Sequence, residues 1–538
     1  MSTKVLIVDD EPHMLRVTEL SIKRGGYDIV IGRNGREAVE LAARENPGLI
    51  VMDVSMPEMD GLTALQHLKA DPKTAPIPVI MLTVRGQAMT RHQAEQSGAA
   101  VYLTKPFSPS QLLAEVRRLL EPSVAGGASG PQQPAPQPQP STCPLMKPIL
   151  PLFIMVDACG WEIIRNDPFG ENFAPTRKKL ESVFGYSSTC VPSILSGRWP
   201  FEHRNWCYFV YDPKNSPFRS LRWLRWLPKA VTGRRIFRRY LTKFVKVQLK
   251  FRGYFDLYNI PFKFIHLFDF TEKKSPLQPG GMNVGPNIFD HLVKQGIPYF
   301  VTDTTKSEAQ NRDDLIAAIK SERIDFAFQY WAGLDGLLHM VGNQSPEVPA
   351  KLRVYEQWLE QVLAAAREHY TDVRLYIFSD HGMANCDVHV DLKARVDVLP
   401  VRMEKDYAVV YDSTMARFWF FNDHARQVIT AELLKVPEGR IVPDAELLHM
   451  NAYFADHYFG ELIFLMREGV LIVPSHMGER PIRAMHGYHP TDPQSYAALL
   501  TNQSTIPEDV THIPHIYRLM ERQADAAKAA NQPAVKPA

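Results

Sequence analysis

Cysteine is scarce in this chain: five in 538 residues (Cys143, Cys159, Cys190, Cys207 and Cys386), scattered, with no CxxC pair. That pattern argues against a disulfide framework, and it suits a reducing compartment. Long hydrophobic runs are missing too. The longest near position 149, ILPLFIMV, falls well short of the ~20 residues that cross a bilayer. The opening MSTKVLIVDDEP lacks the basic stretch and apolar segment of a secretory leader, so a cytoplasmic protein is expected. Neither sign of charge dominates, the formal net charge being +2, so the whole chain points to no polyelectrolyte partner. What is present is an apolar fraction of 45%, which excludes an intrinsically disordered chain, and a length sufficient for two or more cores.

Residues 1–122 alternate short β-branched runs with amphipathic stretches. The runs are VLIV (5–8), YDIVI (27–31), LIVM (49–52), VIML (79–82) and VYL (101–103); REAVELAAREN and PSQLLAEVRRLL read as helices between them. Continuous apolar strands alternating with helices predict a five-stranded, doubly wound parallel sheet. Residues 123–147, rich in Gly, Pro, Gln and Ser, can bury almost nothing and are expected to be a flexible linker. Apolar periodicity then returns, predicting a larger α/β domain over 148–521. The end of the chain, 522–538, is expected to be a frayed helix or a disordered tail.

Asp9 and Asp10 follow the first predicted strand, Asp53 ends the third, Thr83 the fourth, and Lys105 the fifth. In an open parallel sheet the carboxyl ends of the strands form the ligand crevice, so these side chains should converge. Three carboxylates make a hard, oxygen-only site suited to Mg²⁺. A lysine and a threonine hydroxyl are what a phosphoryl group on Asp53 would need as partners. Residues 1–122 resemble a response-regulator receiver domain. That resemblance implies Asp53 as phospho-acceptor, Asp9 and Asp10 as its Mg²⁺ ligands, Thr83 and Lys105 as the switch pair, Tyr102 as the rotating aromatic, and a sensor histidine kinase as partner.

In the second half, apolar runs end on metal-type ligands: Asp157 after IMV, Asp335 and His339 in LDGLLH, Asp380-His381 after LYIFS, and His486 in MHGYH. A hydroxyl-rich turn, Ser187-Ser188-Thr189, lies between the first two. Three aspartates, three histidines and one hydroxyl suffice to hold two divalent cations beside a nucleophile, and Asp and His are standard Zn²⁺ ligands. Such an inventory suits metal-assisted displacement at a phosphorus or sulfur ester. The spacing Asp335-x-x-x-His339 puts both on one face of a helix.

The order of these fragments resembles the alkaline phosphatase superfamily, and within it the type I phosphodiesterase/nucleotide pyrophosphatase branch. That implies one zinc held by Asp157, Asp380, His381 and the nucleophile, and a second by Asp335, His339 and His486. The branch has its nucleophile ten residues before a Gly that opens G-x-x-P-x-x-H. Gly197 to His203 matches that stretch, and counting back without a gap reaches Ser187; a gap of one helical turn would move the role to Ser188, Thr189 or Cys190. Asn205 is the candidate for holding a phosphate oxygen, three places off the branch's spacing. A sulfatase would need an Arg where Ile194 stands.

From Pro213 to Phe255 there are thirteen Lys or Arg and no Asp or Glu, interleaved with Trp223, Trp226, Phe237, Tyr240, Phe244 and Phe251. Besides an ordinary solvated face, this pattern fits contact with an anionic membrane surface or with a nucleic-acid backbone. The expectation is a response regulator whose output domain hydrolyses a phosphate ester, nucleotide or lipid-linked. Asp53 phosphorylation would act by receiver-mediated dimerisation or by release of a blocked site. The alternatives are an adaptor that binds a phosphorylated ligand without turnover, a phosphotransferase, or a sulfatase-like relative.

Overall fold

The structure is a computed structural model that describes residues 4–10, 15, 18, 22, 27–54, 56, 58–84, 99–105, 109–120, 146–226 and 235–531. The chain divides into two compact units, Met1–Gln139 and Pro140–Ala538. The predicted linker, up to residue 145, lies outside the described residues.

In the first unit β1 (Lys4–Val8), β2 (Asp28–Gly32), β3 (Leu49–Asp53), β4 (Val79–Val84) and β5 (Val101–Lys105) form one parallel sheet in the order β2-β1-β3-β4-β5. Alternate residues of the central strands feed two separate clusters. Leu6, Val8, Ile50 and Met52 pack with α1 (Gly35–Glu45) and α2 (Gly61–Ala70), whereas Val5, Ile7, Leu49 and Val51 pack with α3 (Pro109–Leu120). Burial on both faces is why these strands read as unbroken apolar runs. Asn34 and Asp60 cap α1 and α2 by accepting from Glu37 N and Thr63 N.

The second unit is built on a six-stranded sheet: β6 (Lys147–Val156), β7 (Thr176–Leu180), β8 (Tyr299–Val301), β9 (Phe326–Trp331), β10 (Tyr370–Phe378) and β11 (Ala497–Thr501). The order is β8-β9-β6-β10-β11-β7, with β8, β9, β6 and β10 mutually parallel and β11 antiparallel to both its neighbours. On one face Leu152, Ile154 and Val156 meet the long helix Glu347–His369; on the other Phe153 and Met155 meet α4 (Ser187–Ser196) and the final helix Ile516–Asn531. A separate antiparallel sheet of Tyr407–Tyr411, Met415–Phe420, Leu462–Met466 and Gly439–Val442 covers a second core.

The expected tail needs correcting. The last helix runs to Asn531, with Leu519, Met520, Ala524 and Ala527 buried and the Asn531 side chain bonded to both the N–H and the C=O of Ile149. The alanines that look like low complexity are a small apolar face, in the residue with the highest helix propensity. Residues 532–538 lie outside the described residues.

Candidate active site

Three neighbouring parallel strands, β9, β6 and β10, place Asp335, Asp157 and Asp380 beyond their carboxyl ends. Asp157 follows β6 directly and its N–H donates to Trp331 O across the sheet at 2.9 Å. Asp335 lies in the first turn of the helix Gly333–Val341, and His339 one turn later sets Nε2 3.3 Å from Asp335 Oδ1. His381 reaches back over the strand end, with Nε2 3.1 Å from Asp380 Oδ2 and 3.5 Å from Asp157 Oδ1. His486 arrives from a short strand pair, stacks on His381 with centroids 3.8 Å apart, and sits 3.6 Å from Asp335 Oδ1. Two groups with ligand atoms within 4.8 Å of one another result: Asp157, Asp380, His381 and Asp335, His381, His486. The sequence assigned His381 to one group only, whereas the structure sets it between both. His339 stands outside both groups, facing Asp335 and with its ring centroid 5.4 Å from that of His486.

The donor chemistry fits cations. His339 and His381 each donate Nδ1–H to a backbone carbonyl, Ala484 O at 2.8 Å and Gly382 O at 2.9 Å, so both turn Nε2 inward. Asp157 Oδ1, Asp335 Oδ1 and Asp380 Oδ2 are buried oxygens that make no well-aligned hydrogen bond and are faced by the imidazole nitrogens of His381 and His339. Burial, followed by Asp380 and Asp335, drives the Asp157 carboxyl well above the usual carboxylate range. His381 moves up to about 10: burial opposes its charge, but Asp380, Asp157 and Asp335 outweigh it. Buried carboxylates that raise a neighbour so strongly are short of positive charge.

Ser187 is the first residue of α4, and its Oγ lies 2.9 Å from His381 Nε2. It borders the cavity with Asp157, Asp335 and His486. None of the three hydroxyls caps the helix: the cap is Tyr186, which makes no side-chain capping bond. Its OH is instead paired with Thr414 Oγ1 at 2.8 Å. Ser188 borders the same cavity with its Oγ buried and unbonded, while Thr189 Oγ1 is buried and unbonded against Gly185. Cys190 is buried, where desolvation pushes its thiol far up. Gly197, at φ +66°, closes the other end of α4, so the ten-residue count from Ser187 is one unbroken helix.

Asn205 is placed elsewhere. It is buried, accepts from Asn283 N at 3.1 Å, and does not border the cavity. His203 of the same stretch pairs its Nε2 with Ser193 Oγ at 2.8 Å and ties α4 to the following turn. In the first unit Asp9, Asp10 and Asp53 come together as a third group, this one of carboxylates only. Thr83 and Lys105 stand on adjacent strands, but the side chains of Thr83, Tyr102 and Lys105 lie outside the described residues.

Sequence reasoning missed two features. Tyr330, on β9, donates its OH to Asp157 Oδ2 and fixes that carboxylate. The cavity of about 670 Å³ in front of the site is walled by Tyr208, Tyr254, Tyr258 and Glu272 with Lys246 and Arg252. Burial pushes the Glu272 carboxyl up to about 8, against the pull of Tyr254 N–H and Lys246. An ordinary carboxyl, as in the unfolded chain, titrates near 4.5, so the folded chain holds an extra proton between those values. Stability from this group is fully present below pH 4.5 and is lost as pH rises through 8, by up to about 5 kcal/mol. Glu272→Gln should therefore flatten the fall in melting temperature from pH 5 to pH 9; equal slopes in both proteins would refute the buried, protonated carboxyl.

Residues 5–117 match the response regulator receiver domain family, and residues 153–489 match the family described as type I phosphodiesterase / nucleotide pyrophosphatase. Over 117 residues the chain is 41% identical to the DNA-binding dual master transcriptional regulator RpaA of Synechocystis sp., covering 22% of this chain and 48% of that protein. The transcriptional regulatory protein SrrA of Staphylococcus aureus is 39% identical over 120 residues, with the same coverages of 22% and 48%. The chain thus spans about half the length of the curated relatives it matches. Human ectonucleotide pyrophosphatase / phosphodiesterase 5 superposes with a TM-score of 0.50 at 12% identity, covering 70% of this chain and 95% of that one, a likeness of fold.

Proposed function

The chain belongs to the type I phosphodiesterase / nucleotide pyrophosphatase family and carries a response-regulator receiver domain ahead of the hydrolase unit, and from that premise we propose a phosphorylation-regulated phosphodiesterase with Ser187 as nucleophile. One observation supports the reading: Ser187 Oγ meets His381 Nε2 at 2.9 Å beside Asp157, Asp335 and Asp380, each of which keeps one buried oxygen without a hydrogen bond. Asp157, Asp380 and His381 would hold one divalent cation and Asp335, His339 and His486 another, zinc by the nitrogen and oxygen donor set. Bound there, the pair would neutralise phosphoryl charge and favour ionisation of the serine hydroxyl. The chain's own part is positional. His381 orients the Ser187 hydroxyl, and Tyr330 fixes Asp157. The N–H groups at the start of α4 suit an anionic phosphoryl oxygen. Ser187 Oγ forms the new P–O bond while the bond to the leaving alcohol breaks; water then cleaves the phosphoserine ester, releasing the phosphate product and restoring the hydroxyl.

In the receiver, Asp9, Asp10 and Asp53 would hold Mg²⁺, and Asp53 would accept a phosphoryl group from a sensor histidine kinase. Thr83, Tyr102 and Lys105 would relay it, through receiver dimerisation or release of a blocked site. The test is zinc analysis of the purified chain with rates on a bis-aryl phosphate and an aryl monophosphate, before and after acetyl phosphate treatment. Expected are two bound cations, faster diester cleavage, and a rate change on phosphorylation that Asp53→Asn abolishes. Absence of bound cations with neither ester cleaved would sink the hydrolase reading, and identical rates in both states would sink the regulatory one.

A further inference from the structure

The helix α5 (Arg235–Gln248) has two apolar faces. Phe237, Leu241 and Val245 pack on Phe209, Phe218 and Phe255. Arg238 fastens that face, donating to Ile260 O at 3.2 Å with its guanidinium 4.4 Å from the Phe262 ring centroid. The second row is Ile236, Tyr240, Phe244 and Val247, spaced four, four and three residues, so it forms one stripe along the helix. That stripe points outward: its members are 72%, 70%, 58% and 73% exposed. Trp223, in the preceding turn Pro217–Trp226, is 58% exposed as well. Single exposed apolar side chains are ordinary, but a contiguous row marks a docking surface.

Charge identifies the occupant. Arg239 and Lys243 are exposed beside the stripe, and Arg222 and Lys250 are exposed before and after it. With thirteen cations and no carboxylate in the sequence from Pro213 to Phe255, this segment suits a densely anionic partner. A nucleic-acid backbone would engage the cations yet leave Ile236 and Val247 in water. An anionic bilayer takes both, burying the stripe at the acyl boundary and pairing the cations with headgroup phosphates. The same segment also walls the cavity: Lys246 of α5, beside exposed Val247, borders it, followed by Arg252, Tyr254 and Tyr258.

We propose that α5 and the turn before it dock on an anionic phospholipid surface and present the cavity to phosphodiesters of that surface, the second half of this inference resting on the hydrolase reading. The test is sedimentation of the full chain with phosphatidylcholine vesicles, with and without phosphatidylserine, alongside binding of a labelled oligonucleotide. The native chain should sediment with the anionic vesicles only. Ile236→Ser/Phe244→Ser, both at exposed positions, should weaken this roughly tenfold, with melting temperature and aryl diester hydrolysis unchanged. Arg239→Glu/Lys243→Glu should weaken it further. No vesicle binding overturns the proposal, as does binding indifferent to the apolar variants, or oligonucleotide binding that survives them. Vesicle binding without any diester hydrolysis would leave docking intact and remove the hydrolase reading instead.

Discussion

Ser187→Ala should lower turnover of an activated phosphodiester by roughly 10³-fold or more, with the fold intact. The size follows from position. Of three adjacent hydroxyls, Ser187 alone is hydrogen-bonded to a member of the carboxylate–imidazole cluster, at 2.9 Å from His381 Nε2. Ser188 Oγ is buried without a partner, and Thr189 Oγ1 is packed against Gly185. Ser188→Ala should therefore cost only a few-fold, and Thr189→Ala should act on stability more than on rate. Ser187→Thr, which keeps a hydroxyl at the start of α4, should retain part of the activity. Single-turnover kinetics on a bis-aryl phosphate separate these cases. A dead Ser188→Ala or Thr189→Ala enzyme beside an active Ser187→Ala enzyme would move the nucleophile by one or two residues.

The legible parts of this molecule are those where one-dimensional pattern and three-dimensional position share a cause. Asp157, Asp335 and Asp380 follow apolar runs because strands in a parallel sheet are buried on both faces, and the chain turns polar where the sheet ends. Their convergence could be read because β9, β6 and β10 are neighbours, although nothing in the sequence states that order. His339 follows from helical spacing. The ten-residue step from Ser187 to Gly197 is readable as a length because it is a single helix ending in its left-handed cap. Tyr330 was not legible: within FAFQYW it looks like one more core aromatic, and only the register of β9 on β6 turns it toward Asp157. Nor was Glu272, which is buried in the wall of a cavity it shares with Tyr208 and Tyr330, both far from it along the chain. The terminal helix is not legible because alanine carries little hydrophobic signal, even where it packs on a sheet.

Asp380→Asn should cost one bound cation and, with it, roughly 10³-fold in rate, an effect set apart from general damage to the core by comparison with a second buried carboxylate. Asp380 is fully buried, and among the described residues the cationic groups that act on it are the imidazoles of His381 and His486. Burial works against its ionisation, yet His381, His486 and the Ala158 N–H together hold its carboxyl below the usual range. Asp412 is equally buried but has its own counter-ion, Arg417 Nε at 2.8 Å, away from the clusters. Breaking that pair with Asp412→Asn should cost about 3 kcal/mol of stability by stranding a buried charge, while leaving cation content intact. Chelation of the native chain should mimic Asp380→Asn, lowering the melting temperature, since a ligand present at 100 times its dissociation constant stabilises the folded state by about 2.7 kcal/mol. Elemental analysis joined to melting curves reads all three proteins. If Asp380→Asn kept both cations, or if chelation left melting unchanged, the carboxylates would have to be balanced by protons, and His381 at about 10 would be the proton's seat instead of a cation's neighbour.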